Sequence, residues 1–431
     1  MPHRKSGSLV TYEIFSLLNV TFLLEHSFLP KKPAFLLTAL SLQPSYNTQG
    51  RFQGEEIMVS DSKQKRRRSR RIARLPQELV TEILLRLPIR SLVRSKCVCK
   101  EWFTLINDDP QFAKSQLQQS ASGIIGESSK PGIFSYFSLD VKKEQIDFNI
   151  REIVKDDVTL QDSCNGLLLL KRENCVEQYY ICNPITKWYL KLPQFLFLGD
   201  DDQHWWSSLA YDNSNQKYKV VITYWKPDKL LYDPMSYKCG VFTILGNKDG
   251  GGDGDGSSSG SWRELDIPAP YELAPCCPCF ANGALHWMAN GRPEDMDEYI
   301  LLMELANEEF RVINSPLPPI EWPSALLKMK GSLCIAHSVS DQLDLWVLND
   351  HVKQKWVKKF SINVEVFAGK NSWLCPCFVM GNPRPVLTFF CTFNEDYAIY
   401  DLDIGQFKFE RKGIDMGRSS IIAHVNSLIS C

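Results

Sequence analysis

The chain has 431 residues, 44% of them hydrophobic and 23% charged, the balance of an ordinary globular protein with two or three domains, or one small domain beside one large architecture. Its formal net charge of −1 gives the molecule as a whole no electrostatic bias toward nucleic acid or a membrane surface. Fourteen cysteines spread over so long and apolar a chain exclude a small disulfide-stapled scaffold; close pairs such as Cys276–Cys277 and Cys375/Cys377 bridge poorly, so the thiols read as small apolar residues of a reducing compartment.

Residues 1–62 show no convincing period and are expected to be a poorly ordered extension. The run LVTYEIFSLLNVTFLL (9–24) follows Arg4 and Lys5 in the manner of a targeting segment. Glu13 interrupts it, no small-residue cleavage site follows, and it falls short of the roughly 20 residues that span a bilayer. Two readings stay open: a targeting segment, or an extension ahead of a functional chain that begins near Met58. No membrane partner is expected. Residues 63–74, KQKRRRSRRIAR, carry bases without an acid. No aromatic residue interleaves with them, so base stacking is not indicated. A solvated tail or a nuclear import address is expected, with no specific nucleic acid.

Residues 75–120 read as helical. LPQELVTEILLRLP sets six aliphatic side chains between Pro76 and Pro88. Pro76 suits a first helical turn, where its missing N–H is no loss. Leu79, Val80, Ile83, Leu84 and Leu87 fall in an arc about 140° wide, with Leu85 on the other side. Pro88 stops the helix. Leu92, Val93, Cys97 and Val98 supply a second apolar pattern, and Trp102, Phe103 and Ile106 a third. Asp109 is placed as an N-cap ahead of Pro110. A unit this short cannot bury so many large side chains within itself, and the surplus implies a partner. Residues 121–131, rich in Ser, Gly and Pro, are expected to be a linker.

From Gly132 onward the pattern becomes alternating and β-branched, with turn signals between short runs such as GLLLLKR, KYKVVITYW, ALHWMA and LDLWVL. No helical pattern intervenes, which excludes a parallel βαβ fold. Gly283, Gly331 and Gly381 stand before or within strand-opening apolar runs, 48 and then 50 positions apart. A period near that length, with four short strands per unit, predicts propeller blades, about six of them over residues 132–431. The C-terminal SSIIAHVNSLIS is expected to close the ring by pairing near GIFSYFSLD (132–140). The expected fold class is therefore α plus all-β multidomain: a three-helix unit, then a β-propeller.

RLPQELVTEILLRLPIRSLVRSKCVCKEWFTLINDDPQF (74–112) resembles an F-box, with Leu-Pro at the start, a second Leu-Pro after the first helix, then Ser-Leu, Arg, Val and Trp in order. SCNGLLLL, ICNPITKWYLKLP, AYDNSNQKYKVV, LDLWVLNDHVKQKWVKKFSI and VNSLIS are similar to the recurring phrases of the F-box-associated, kelch-like propeller of plant F-box proteins. The resemblance implies that the F-box docks a Skp-type adaptor, and through it a cullin, while the propeller holds an as yet unidentified substrate protein. Leu75, Pro76, Leu79, Ile83, Leu87, Pro88, Leu92, Val98 and Trp102 are then the candidates for the adaptor surface or its support. The expected role is a non-catalytic specificity subunit of a Skp–cullin–F-box ubiquitin ligase in the nucleus or cytoplasm. Two rivals remain: a secretory-pathway propeller enzyme or carbohydrate-binding protein entering through residues 1–29, and an F-box scaffold acting outside a ligase.

The remaining constellations read as structural. CCPCF (276–280) and LCPCF (374–378) invite a zinc reading, but the last cysteine of each, Cys279 and Cys377, stands four residues before Gly283 or Gly381, as a repeated strand position would. DGDGSSSGSWRE (253–264) has calcium-loop spacing, but Ser258 stands where a sharp turn wants glycine and no helices flank it. Neither metal nor cofactor is expected. None of the seven histidines lies in a recognisable catalytic motif. Trp205, Trp206, Trp225, Trp287, Trp322 and Trp373 are natural anchors for a partner, though most are expected in the core.

Overall fold

The computed structural model describes residues 75–429 apart from 129, 139–144, 174–177, 199–202, 227–235, 246–259, 269–271, 275–276, 291–297, 318–323, 340, 366–373, 381–385, 392–395 and 411–415. The expected extension, the basic run, Gly381, Trp322, Trp373 and residues 253–259 of the calcium-like insert lie outside the described residues. The chain divides into two units, Met1–Val80 and Thr81–Cys431. Among the described residues, no helix is long and apolar enough to cross a membrane.

Four helices open the described chain: α1 (Gln77–Leu85), α2 (Ile89–Ser95), α3 (Lys100–Asp108) and α4 (Pro110–Gln119). Pro88 stands as the residue before α2, where a fixed φ suits the entry to a helix. Asp109 caps α4 as expected: its carboxylate accepts from the Gln111 and Phe112 backbone N–H groups at 2.8 and 3.2 Å, with Pro110 in the first turn. Such a cap contributes about 1 kcal/mol.

The remainder is a ring of six antiparallel sheets. Blade 1 holds β1 (Ser122–Ser128), β2 (Ile133–Ser138) and β3 (Gln145–Asn149), followed by the short helix α5 (Arg151–Val154). Blade 2 is β4 (Val158–Cys164), β5 (Leu167–Arg172), β6 (Tyr179–Asn183) and β7 (Trp188–Lys191). Blade 3 is β8 (Gln203–Asp212), β9 (Lys217–Lys226), β10 (Ser236–Thr243) and β11 (Arg263–Asp266). Blade 4 has β12 (Glu272–Leu273) and β13 (Cys279–Ala281) pairing in turn with β14 (Ala284–Asn290), then β15 (Glu298–Glu304) and β16 (Phe310–Asn314). Blade 5 is β17 (Ser324–Met329), β18 (Ser332–Val339), β19 (Gln342–Asp350) and β20 (Lys355–Asn363). Blade 6 is β21 (Leu374–Met380), β22 (Val386–Cys391), β23 (Asp396–Asp401) and β24 (Gln406–Glu410); the last strand, β25 (Met416–Val425), returns to blade 1.

Two repeated turns explain the period seen in the sequence. The first hairpin of blades 2, 4 and 5 turns on Asn165-Gly166, Asn282-Gly283 and Lys330-Gly331, every one of these residues at positive φ. Two successive positive φ values are what a tight two-residue hairpin needs to match strand twist, and the second position favours glycine. Gly166 is a copy of the repeat that the spacing of Gly283 and Gly331 alone did not reveal. At the last hairpin of blades 2, 5 and 6 Asn183, Asp350 and Asp401, and at the first hairpin of blade 3 Asp212, each accept through Oδ1 from the backbone N–H groups two and three residues on. This is why the family phrases carry Asn-Pro, Asp-Asn, Asn-Asp-His and Asp-Leu-Asp at those turns: a short acceptor side chain holds the turn.

Two expectations need correction. Residues 122–128, expected within a linker, form β1, paired with β2 on one side and β25 on the other. Gly123 is no sign of looseness there: a Cβ on it would lie 2.3 Å from the Tyr136 ring, so the strand needs the missing side chain. Ile124 and Ile125 beside it are buried. The C-terminal strand does close the ring, but it pairs with β1 (Gly123 opposite His424, Ile125 opposite Ile422) rather than with the strand at 133–138, which lies one place further out.

Neighbouring blades are fastened by polar groups as well as by their apolar faces. Lys219 on β9 is buried and reaches across to blade 4, with Nζ 2.8 Å from Glu308 Oε1 and in bond with the Leu305 carbonyl. Arg263 grips the same carboxylate through two nitrogens at 2.6 and 2.7 Å. A buried charge stripped of one partner costs about 3–5 kcal/mol. Glu308→Ala is therefore expected to lower the unfolding free energy by about that amount, read from urea denaturation, whereas loss of the exposed Glu82–Arg86 pair on the first helical domain changes it by about 0.5 kcal/mol or less.

Candidate functional site

The helical domain presents a surface that its own core does not use. On α1 only Leu84 and Leu85 are buried. At roughly 100° per residue, the direction midway between them points away from Leu79 and Ile83. Of the arc expected as the seating face, Leu84 alone serves the protein's own core, and Leu85, expected on the far side, is buried instead. Leu79 is 45% exposed; Leu75, Ile83, Leu87 and Pro88 are half-buried and Pro76 is exposed. In the second unit Val98 is 51% exposed and Trp102 half-buried. Leu92, one of the candidates, is fully buried, and so supports the surface from beneath without being available for contact. Phe103, 47% exposed on α3, was not among the candidates and belongs with Val98. Its neighbour Trp102 drew the sequence reading, although only the helical phase decides which of two adjacent aromatics faces out.

At the other end of the chain the innermost strands β25, β4, β8, β13, β17 and β21 surround the propeller's axis. They leave a channel whose cavity measures about 490 Å3. Its wall is built across blades. Asp162 follows a bulge in β4 and accepts the Ser163 N–H at Oδ1 (2.7 Å) and the Leu209 N–H of blade 3 at Oδ2 (2.8 Å). Ser163 Oγ lies 2.8 Å from Nδ1 of His424 on β25, tying blade 2 to blade 1. Asp162 is open to the channel on one side and enclosed by protein on the others; this burial pushes its carboxyl up to about 7, against the lowering pull of its two backbone donors. Burial lowers His424 to about 4, so the ring is neutral.

Both Cys-Pro-Cys stretches lie on innermost strands, Cys279 on β13 and Cys375 and Cys377 on β21, the repeated strand position expected of them. Burial pushes the Cys279 thiol up to about 12, which suits an inert core residue. Of the tryptophans, Trp287 is core, Trp225 packs partly buried against it, and Trp206 lines the channel. His286 and His424 carry a consequence for stability. Burial holds both at about 4, while the unfolded chain protonates near the ordinary value of 6.5. The unfolded state therefore binds more protons in between, and stability is complete above pH 6.5 and declines as pH falls toward 4. Asp162, raised in the fold, acts in the opposite direction, so the comparison carries the test: from pH 7.5 to 5 the urea midpoint of the His286→Gln/His424→Gln double variant is expected to fall less, or rise more, than that of wild type.

The chain is thus a small helical domain with exposed apolar side chains, followed by a six-bladed β-propeller. Residues 72–114 match the F-box domain and residues 119–380, more than half of the chain, match the F-box associated beta propeller domain. The chain thus belongs to the plant F-box proteins that carry this propeller. The propeller match starts ahead of β1, in keeping with the strand found there, and the described blades continue past its end to β25. Relatives include two F-box proteins of Arabidopsis thaliana, each 26% identical: one over 314 residues, 69% of this chain and 81% of the relative, the other over 309 residues, 67% and 72%. Among solved structures the chain is similar to one from a nidogen/laminin complex (11% identity, 71% of this chain, 99% of that chain, TM-score 0.39) and to virginiamycin B lyase from Staphylococcus aureus (10%, 68%, 85%, 0.37). Likenesses of that degree carry no argument.

Proposed function

We propose that this F-box protein is the substrate-recognition subunit of a Skp–cullin–F-box ubiquitin ligase. The helical domain binds a Skp-type adaptor and, through it, a cullin, and the propeller holds the substrate protein. The observation that carries the reading is that Val98 and Phe103 stand about half exposed while Leu84, Leu85, Leu92 and Ile106 of the same unit are buried. Large apolar side chains that a domain leaves outside its core are the material of a protein interface. The chain's contribution is proximity: it raises the effective concentration of substrate lysines near a charged conjugating enzyme and performs no bond-making itself. With the basic run 63–74 as an import address, the complex works in the nucleus or cytoplasm.

Capture of a purified Skp-type adaptor by the full-length chain tests this. Wild type is expected to retain the adaptor and the Leu75→Ala/Pro76→Ala/Leu79→Ala variant to lose most of it; equal recovery from both contradicts the proposal. The scaffold alternative separates in a reconstituted ubiquitination assay with captured substrate, where a scaffold binds adaptor but turns nothing over.

A further inference from the structure

The propeller's axial channel is the largest feature that adaptor docking leaves without a task. Its cavity of about 490 Å3 lies within the roughly 300–1,000 Å3 of sites that enclose small organic ligands. Among the described residues lining it, Asp162 is the only acid, Lys328 and Lys330 are the only lysines or arginines, and His424 is held neutral by burial. Asp162 has no ion pair among the described residues. Its two oxygens each take one backbone N–H and can each accept a further hydrogen bond, and the residue is partly exposed and lines the cavity. A carboxylate withdrawn from water needs a cation or surrenders its charge. Lys328 does not provide that cation: its Nζ stands over the Phe280 ring, 5.1 Å from the centroid. Trp206 is on the same wall, and its indole N–H has no acceptor among the described residues. An acid without an ion pair in the same cavity as an indole ring, in a space of ligand size, has the chemistry that holds a cation on an apolar stem.

We propose that the channel binds a small organic ammonium ion, with its charged head on Asp162 and its apolar stem against Trp206. The site stands independently of whether the F-box docks an adaptor. Of these residues the sequence singled out only Trp206, as a partner anchor, and not the site, because Asp162, Trp206, Phe280 and Lys328 come from four blades and meet only when the ring closes.

Protection of Cys277 from alkylation tests it in the full-length wild-type protein. Cys277 is exposed and lines the cavity, while Cys97 and Cys99 are exposed on the helical domain and serve as internal references. With iodoacetamide and peptide-resolved mass spectrometry, phenethylammonium is expected to slow modification of Cys277 several-fold and to leave Cys97 and Cys99 unchanged. 2-Phenylethanol, which has the same shape without the charge, is expected to protect none of the three. The Asp162→Asn variant is expected to lose the protection; if it fails to fold, the amine-against-alcohol comparison in wild type still decides. Equal rates with amine and alcohol overturn the proposal and leave a solvent-filled channel. A lysine-containing peptide that protects Cys277 where phenethylammonium does not also overturns it, and moves the cation to a protein side chain.

Discussion

Replacing Val98 and Phe103 together by glutamate is expected to abolish capture of a Skp-type adaptor while the propeller's thermal transition stays where it is. Both side chains are about half exposed in the isolated chain, so charging them removes little that the fold depends on. In a complex the same positions would sit in a desolvated apolar contact, where a carboxylate without a partner is strongly unfavourable. Truncating one interface anchor typically costs 2 kcal/mol or more, so the pair is expected to weaken binding by about 3 kcal/mol or more, on the order of 100-fold. Leu92→Ala provides the contrast. That side chain is fully buried, and its loss is expected to destabilise the helical domain by about 2–5 kcal/mol. Binding then falls because the domain unfolds, which circular dichroism of the same sample reveals. Two variants in one domain, one losing the partner without the fold and the other losing the fold itself, separate a contact residue from its support.

The second large effect lies at the ring closure. Ending the chain after residue 415 is expected to abolish the cooperative unfolding transition of the propeller. β25 is the innermost strand of blade 1, and without it β1 becomes an open edge with Ile124 and Ile125 beside it. The residues that follow β25 lock the seam. Asn183 of blade 2 donates from Nδ2 to the carbonyls of Ser427 (3.0 Å) and Ile429 (2.7 Å), and Ser427 Oγ donates to the Asn165 carbonyl at 2.7 Å. Gly166, next to Asn165, is held at φ +87, and a Cβ there would lie 2.1 Å from Ser427 Oγ. Gly166→Ala thus meets both a left-handed backbone and a clash, and is expected to cost about 2–3 kcal/mol, measured as a shift in urea midpoint. The same change at Gly283 or Gly331, where a Cβ would meet nothing within 4 Å, carries only the backbone cost of about 1 kcal/mol. A larger effect at position 166 is the signature of a closure lock rather than of the turn alone.

Much of this architecture was legible because its signals are local. Asp109-Pro110 writes a helix start in two residues, and Asn282-Gly283 writes a hairpin in two. Their recurrence at a fixed spacing announces blades. β1 was misread because its glycines and serines resemble a linker, whereas Gly123 serves close packing under Tyr136, a contact that local composition does not reveal. The docking surface was legible as a surplus of apolar residues, yet not in its orientation. Leu85 in place of Leu79 faces inward, and Phe103 rather than Leu92 faces out, because the choice depends on what each helix packs against. The channel was not legible at all, since its wall is assembled from residues as distant as Asp162 and His424.

Hydrogen–deuterium exchange across residues 75–119 of the full-length chain, with and without a purified Skp-type adaptor, tests most directly whether the exposed apolar surface is a binding face. Adaptor-dependent protection along α1 and through Val98–Phe103, with the propeller strands unchanged, is the predicted result. Exchange in those segments that is identical with and without adaptor, at concentrations where other F-box proteins bind it, would contradict it.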